Sequence, residues 1–152
     1  MEIVKKEIFV FLLAMAPVSE LRGAIPYGIS QGLPLSKTIL LSIGGNLLPV
    51  IPVYFFIKKI LAYLERFKYT RKFSLWIANS TKRRSRIIEI YETIGLVIFV
   101  GIPLPVTGAW TGTIAASLFG LKFKNFIIGV SGGILLACLI VSTLTLGVRK
   151  IL

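Results

Sequence analysis

An acid and a base stand two residues apart in Ala16-Pro17-Val18-Ser19-Glu20-Leu21-Arg22-Gly23-Ala24-Ile25-Pro26-Tyr27-Gly28, with apolar sequence on both sides. The chain has six acidic residues, and Glu2, Glu7, Glu65, Glu89 and Glu92 all fall in polar or amphipathic flanks. Glu20 alone interrupts a long hydrophobic stretch. A charge at the centre of a membrane helix costs ~2.5–3.5 kcal/mol on insertion scales, so such a residue has a partner or a job. Burial disfavours the charged carboxyl, whereas a neighbouring guanidinium favours it. A carboxyl balanced between the two can exchange a proton as a substrate binds and leaves. The same pair can also serve as a brace that holds a loop. Residues two apart do not face each other on a helix, so a direct Glu20–Arg22 pair requires a non-helical tip.

The remainder of the chain narrows the chemistry further. Its 152 residues suffice for one domain, and 55% of them are hydrophobic, in runs rather than stripes. That is membrane-protein composition. Cys138 is the only cysteine and histidine is absent. An intramolecular disulfide is therefore impossible, and no Cys/His metal site, cofactor or nucleophile–base pair is expected, so the chain does not read as an enzyme. Cys138 lies in Leu135-Leu136-Ala137-Cys138-Leu139-Ile140, as a small apolar residue would. Lys5, Lys6, the apolar run Ile8 to Leu13 and Ala14-Met15-Ala16 resemble a signal peptide, but Pro17 directly after the cut and the hydrophobic continuation argue for retention.

The elements that must position Glu20 follow from length. Ile8 to Leu35 is 28 residues, whereas two full spans and a turn need roughly 40. One straight span would bury Glu20, Arg22, Pro17 and Pro26 near mid-bilayer. Glu2 to Glu7 reads as a short polar surface helix ahead of this stretch. A re-entrant hairpin of two half-helices fits the length, its broken backbone running from Pro17 to Pro26 with Pro17 and Gly23 shaping the tip. Irregular backbone at that depth is tolerated only under protein or water. Lys37 to Ile57 is then a clear span, with Gly44-Gly45-Asn46, Pro49 and Pro52 in its middle. There Asn46 either packs in a helix contact or faces a substrate path.

Ile94 to Leu121 is again 28 residues, broken at Pro103-Leu104-Pro105-Val106-Thr107-Gly108-Ala109-Trp110-Thr111, and Phe123 to Val148 is a second clear span. Pro17 matches Pro103, Gly23-Ala24 matches Gly108-Ala109, and Gly44-Gly45 matches Gly132-Gly133. The expected architecture is one all-α membrane domain over 1–152. Repeat 1 is 8–57, a basic amphipathic linker is 58–93, and repeat 2 is 94–148. Each repeat is a hairpin plus one transmembrane helix, so the second is inverted. Ten of the 18 Lys and Arg lie from Lys58 to Arg86; with Lys122 and Lys124 they make twelve on one side against five on the other, counting Lys5, Lys6, Lys37, Arg149 and Lys150. This places the linker in the cytoplasm and both termini outside a cell membrane. Lys82, Arg83, Arg84 and Arg86 are suited to anionic lipid headgroups, and no nucleic-acid motif accompanies them. A homodimer would help to cover polar tips.

The second tip brings hydroxyls and exposed backbone: Thr107, Thr111 and Thr113 with Pro103 and Pro105, and Trp110 as a cavity wall or an interfacial anchor. Glu20-Leu21-Arg22-Gly23-Ala24-Ile25-Pro26 and Gly101-Ile102-Pro103-Leu104-Pro105-Val106-Thr107-Gly108-Ala109-Trp110 resemble the two signatures of the small multidrug export protein family. More distantly they resemble the DedA superfamily, which is linked to lipid-carrier flipping, lipid scrambling and drug resistance driven by the proton-motive force. The resemblance implies paired re-entrant loops and an acidic first loop, matched by Glu20. It also implies an arginine near the second loop, and this sequence has none from Ile87 to Val148. The expected function is a proton-coupled transporter of a small or lipid-like molecule. Glu20, Arg22, Pro26, Asn46, Thr107, Trp110 and Thr111 would line its path, and Pro17, Gly23, Pro103, Pro105 and Gly108 would build the tips. A lipid flippase or scramblase and a non-transporting membrane scaffold are the alternatives.

Overall fold

The computed structural model describes residues 2–64, 86–104 and 107–151. Among them there are six helices and no strand: α1 (Glu2–Met15), α2 (Glu20–Ser30), α3 (Leu35–Leu64), α4 (Arg86–Gly101), α5 (Ala109–Leu118) and α6 (Phe123–Ile151). Two of them are long and apolar enough to cross a membrane, over Leu35–Tyr63 and Phe123–Ile151. Pro105 and the Lys82–Arg84 run lie outside the described residues, as does the turn expected at Asn79-Ser80-Thr81; of Arg86 only the backbone is described.

The element lengths recur. Helices of 14, 11 and 30 residues are followed, beyond the basic segment, by helices of 16, 10 and 29. Within each trio the first helix packs along the third. Matching glycines allow the approach. A Cβ on Gly45 would meet the Phe11 carbonyl oxygen and, at 2.9 Å, Ala14 Cβ; one on Gly133 would meet Val100 Cβ at 2.5 Å and the Val97 carbonyl oxygen at 3.0 Å. The short middle helices exchange partners, α2 packing on α6 and α5 on α3. Where the trios meet, the core contains Leu21, Ile25, Val50, Tyr54, Phe126 and Ile134. The Tyr54 ring stacks on Phe126 with 4.1 Å between centroids, and its hydroxyl donates to the Leu121 carbonyl at 2.6 Å.

The polarity of α3 is inside-out. Thr38, Ser42 and Asn46 are buried, while Leu40 is 71% and Phe56 63% exposed. A helix that hides its polar groups and shows its apolar ones fits a surrounding of lipid, not water.

Two expectations about the first hairpin change. The polar start is not a separate surface helix, because α1 runs unbroken from Glu2. Nor does the irregular stretch extend from Pro17 to Pro26: the break covers only 16–19, and Pro26 lies inside α2. Its missing N–H leaves the Arg22 carbonyl without the usual helical donor, but α2 continues because Leu21, Ala24, Ile25 and Gly28 are packed around it.

Candidate functional site at the two helix breaks

Each hairpin has a break in which a helix exposes its last carbonyls and the next exposes its first N–H groups. Residues of the opposite hairpin reach into both.

Glu20 opens α2 with φ at 49°, a left-handed value that costs a side-chain-bearing residue roughly 1–2 kcal/mol. Its carboxylate crosses to the second break. Oε1 accepts from the Trp110 N–H at 3.1 Å, and the Ala109 N–H is within its reach. These are the first N–H groups of α5, where an anion is favoured by the helix dipole. Gly108 makes the seat, since a Cβ there would collide with both carboxylate oxygens. Only 5% of Glu20 is exposed.

Arg22 reaches the other side of the same break. Nη1 donates to the Leu104 carbonyl at 2.6 Å, and Nη2 donates to the Ile102 carbonyl at 3.2 Å and the Val100 carbonyl at 3.4 Å. These carbonyls end α4 and begin the break, where a cation complements the dipole. Nη2 also donates to Thr107 Oγ1 at 3.3 Å, and that hydroxyl lies 2.9 Å from the Ile102 carbonyl oxygen and 3.0 Å from that of Leu104. Glu20 and Arg22 thus clamp the two ends of one break. They form no salt bridge with each other, whereas Lys37 and Glu7 do pair, 2.5 Å apart. Arg22 thus stands beside a break whose own hairpin carries no arginine between Ile87 and Val148.

The exchange is mutual. Trp110 Nε1 donates to the Met15 carbonyl at the end of α1, 3.1 Å away, and the first hairpin adds a bond of its own there, Ser19 Oγ to the Leu13 carbonyl at 2.6 Å. Hydrogen bonds to charged groups contribute about 1.5–3 kcal/mol each and neutral ones about 1, so the charged clamp is the stronger.

The expected site residues therefore divide. Glu20, Arg22, Thr107, Gly108 and Trp110 come together. Pro17 sits in the first turn and Pro103 in the second break; Gly23 lies inside α2, where a Cβ would come within 2.9 Å of Ser19 Cβ. Thr111 Oγ1 bonds within its own first turn, to the Gly108 carbonyl. Asn46 is buried on α3 with Oδ1 unpartnered, and Thr38 and Ser42 share that condition. Those two were not singled out, although the i, i+4, i+8 spacing of Thr38, Ser42 and Asn46 is visible in the sequence. A groove of about 390 Å³, lined in part by Gly95, Leu96, Phe99, Ala115, Ala116 and Phe119, includes no residue of either break.

The model of the family described as "putative small multi-drug export protein" matches residues 20–140. The chain belongs to this family. The match to the small multi-drug export proteins begins at Glu20 itself and ends within α6, so both clamping charges, the second break and α3 fall inside it. No curated protein and no solved structure matches the chain. Membership in an export family, with two apolar helices of crossing length, makes this a membrane protein of the small multi-drug export class.

Proposed function

We propose that the chain is a proton-coupled membrane exporter built of two inverted repeats, each a re-entrant hairpin followed by one crossing helix. The observation that carries the coupling is the seat of Glu20: a buried carboxylate from one hairpin holds the opening N–H groups of α5 in the other. While charged, it binds the α5 N-terminus and keeps the two tips together. Protonation weakens that acceptor and frees the same N–H groups for an acceptor atom of the substrate. Release of the substrate and loss of the proton restore the clamp. Arg22 stays on the α4 carbonyls throughout and keeps the break from collapsing.

The re-entrant reading rests on length. At ~1.5 Å per residue, α1 and α2 span about 21 and 16 Å, short of a ~30 Å hydrocarbon core. With both hairpins returning to the side they left, each half crosses once. The excess of Lys and Arg then places the basic segment in the cytoplasm and the termini outside.

The test is transport of a fluorescent amphipathic drug by proteoliposomes under a pH gradient. Glu20→Gln keeps the shape of the side chain and is expected to abolish the response to the gradient; gradient-driven transport at the normal rate would overturn the role of Glu20. A second reading, a lipid flippase or scramblase, is favoured by the apolar groove bordered by α4 and α5. It predicts equilibration of labelled lipid with no gradient at all.

A further inference from the structure

Thr38, Ser42 and Asn46 form one line along α3. Each is at most 1% exposed, and each has a side-chain oxygen with no partner. Buried hydroxyls elsewhere among the described residues avoid this by bonding back to their own helix: Thr113 to the Ala109 carbonyl and Ser117 to that of Thr113. Thr38 and Ser42 do not. Thr38 turns instead toward α2, its Oγ1 3.0 Å from the point where a Cβ of Gly28 would be.

α2 and α3 are antiparallel neighbours across a short turn, with Gly28 opposite Thr38. Equal rise along both helices brings Ala24 level with Ser42 and Glu20 level with Asn46. The α2 side of this seam is a buried row of Gly28, Ala24 and Glu20, the first two too small to offer a hydrogen bond. At the far end the row begins beside Lys37, which is exposed and paired with Glu7.

We propose that this seam is a water-filled lane that carries protons between the Lys37–Glu7 end and Glu20. The lane rests on the proton role of Glu20. Spacing supports water as the occupant: residues four apart on a helix are ~6 Å apart along the axis, one water bridges groups about 4.5 Å apart at its tetrahedral angle, and a pair of waters covers the full step. A single bound ion could not reach all three oxygens, which span ~12 Å. The chemistry of the three differs in a useful way. The Thr38 and Ser42 hydroxyls accept and donate, so a proton passes along them as each bond reverses. Asn46 Oδ1 only accepts and orients the last water beside the Glu20 carboxyl. Competing proton carriers are few in the surrounding elements. α1 has no titratable side chain after Glu7, α3 none between Lys37 and Tyr54, α5 none, and α6 only Cys138 between Lys124 and Arg149; Arg22 and Tyr27 complete α2.

Infrared spectroscopy of the full chain in liposomes transferred to D₂O tests the lane. In a Cys138→Ala background, the S–H band of Ser42→Cys is expected to exchange at least about tenfold faster than that of Val130→Cys, a fully buried control on α6. Equal rates would refute the lane. In the second arm, Thr38→Val with Ser42→Ala is expected to slow exchange of the Glu20 carboxyl band, identified by its loss in Glu20→Gln, about tenfold without moving it. An unchanged rate also refutes the lane. No Glu20 carboxyl band at any pH refutes the proton role of Glu20 instead, and leaves the thiol comparison to decide whether water enters.

Discussion

The two halves share a frame and differ in what fills it. Gly44-Gly45 and Gly132-Gly133 lie 88 residues apart and do the same packing. At that offset Thr38, Ser42 and Asn46 correspond to Phe126, Val130 and Ile134. All six are at most 1% exposed. One half therefore buries three oxygens without protein partners where the other buries three hydrocarbon side chains. The breaks differ in the same sense: the first supplies a carboxylate and a guanidinium, the second hydroxyls and an indole. The repeat determines how the chain packs, and departure from the repeat shows where polar groups have been kept at a cost.

This contrast can be broken most severely at Arg22. Replacing it with methionine leaves the α4 carbonyls without their donor, and with two well-formed charged bonds lost the expected destabilisation is about 3 kcal/mol. Denaturant unfolding in detergent measures it, and a change under about 1 kcal/mol would show that the clamp does not hold the second break. A smaller effect sharpens the comparison of the two stripes. Val130→Ser inserts a hydroxyl into the dry half and is expected to cost about 1–3 kcal/mol, whereas Ser42→Val in the polar half changes stability by less than about 1. Similar losses at both sites would mean that the two interfaces are equally dry. The smallest effect is expected at Trp110→Phe, which keeps an aromatic ring, though a smaller one, and deletes the N–H to the Met15 carbonyl: about 1 kcal/mol by thermal unfolding, with pH-dependent transport retained. Loss of the pH dependence in that variant would place the indole in the coupling step itself.

Much of the frame was legible in the residues. Two apolar runs of crossing length, two broken segments and matched glycines predict the helical trios, because helix length and close packing are local consequences of composition. The extent of the first break was misread. Proline inside a helix is ordinarily a stop signal, yet tertiary packing around α2 carries the helix past Pro26. The pairing of Glu20 with Arg22 was also read too locally. Their nearness in sequence favours a mutual bond, but the unpaired peptide groups of the other hairpin are better-placed partners for each.

By itself the sequence determined that this is a helical membrane chain with one acid in its hydrophobic interior, since the energetics of apolar surface and buried charge depend on residue type alone. Only the tertiary structure decided what that acid binds. The first N–H groups of α5 lie some 90 residues away along the chain, and no spacing rule brings them to Glu20. The crossing of the two hairpins does, because a buried helix end must find hydrogen-bond partners and those within reach belong to the other half.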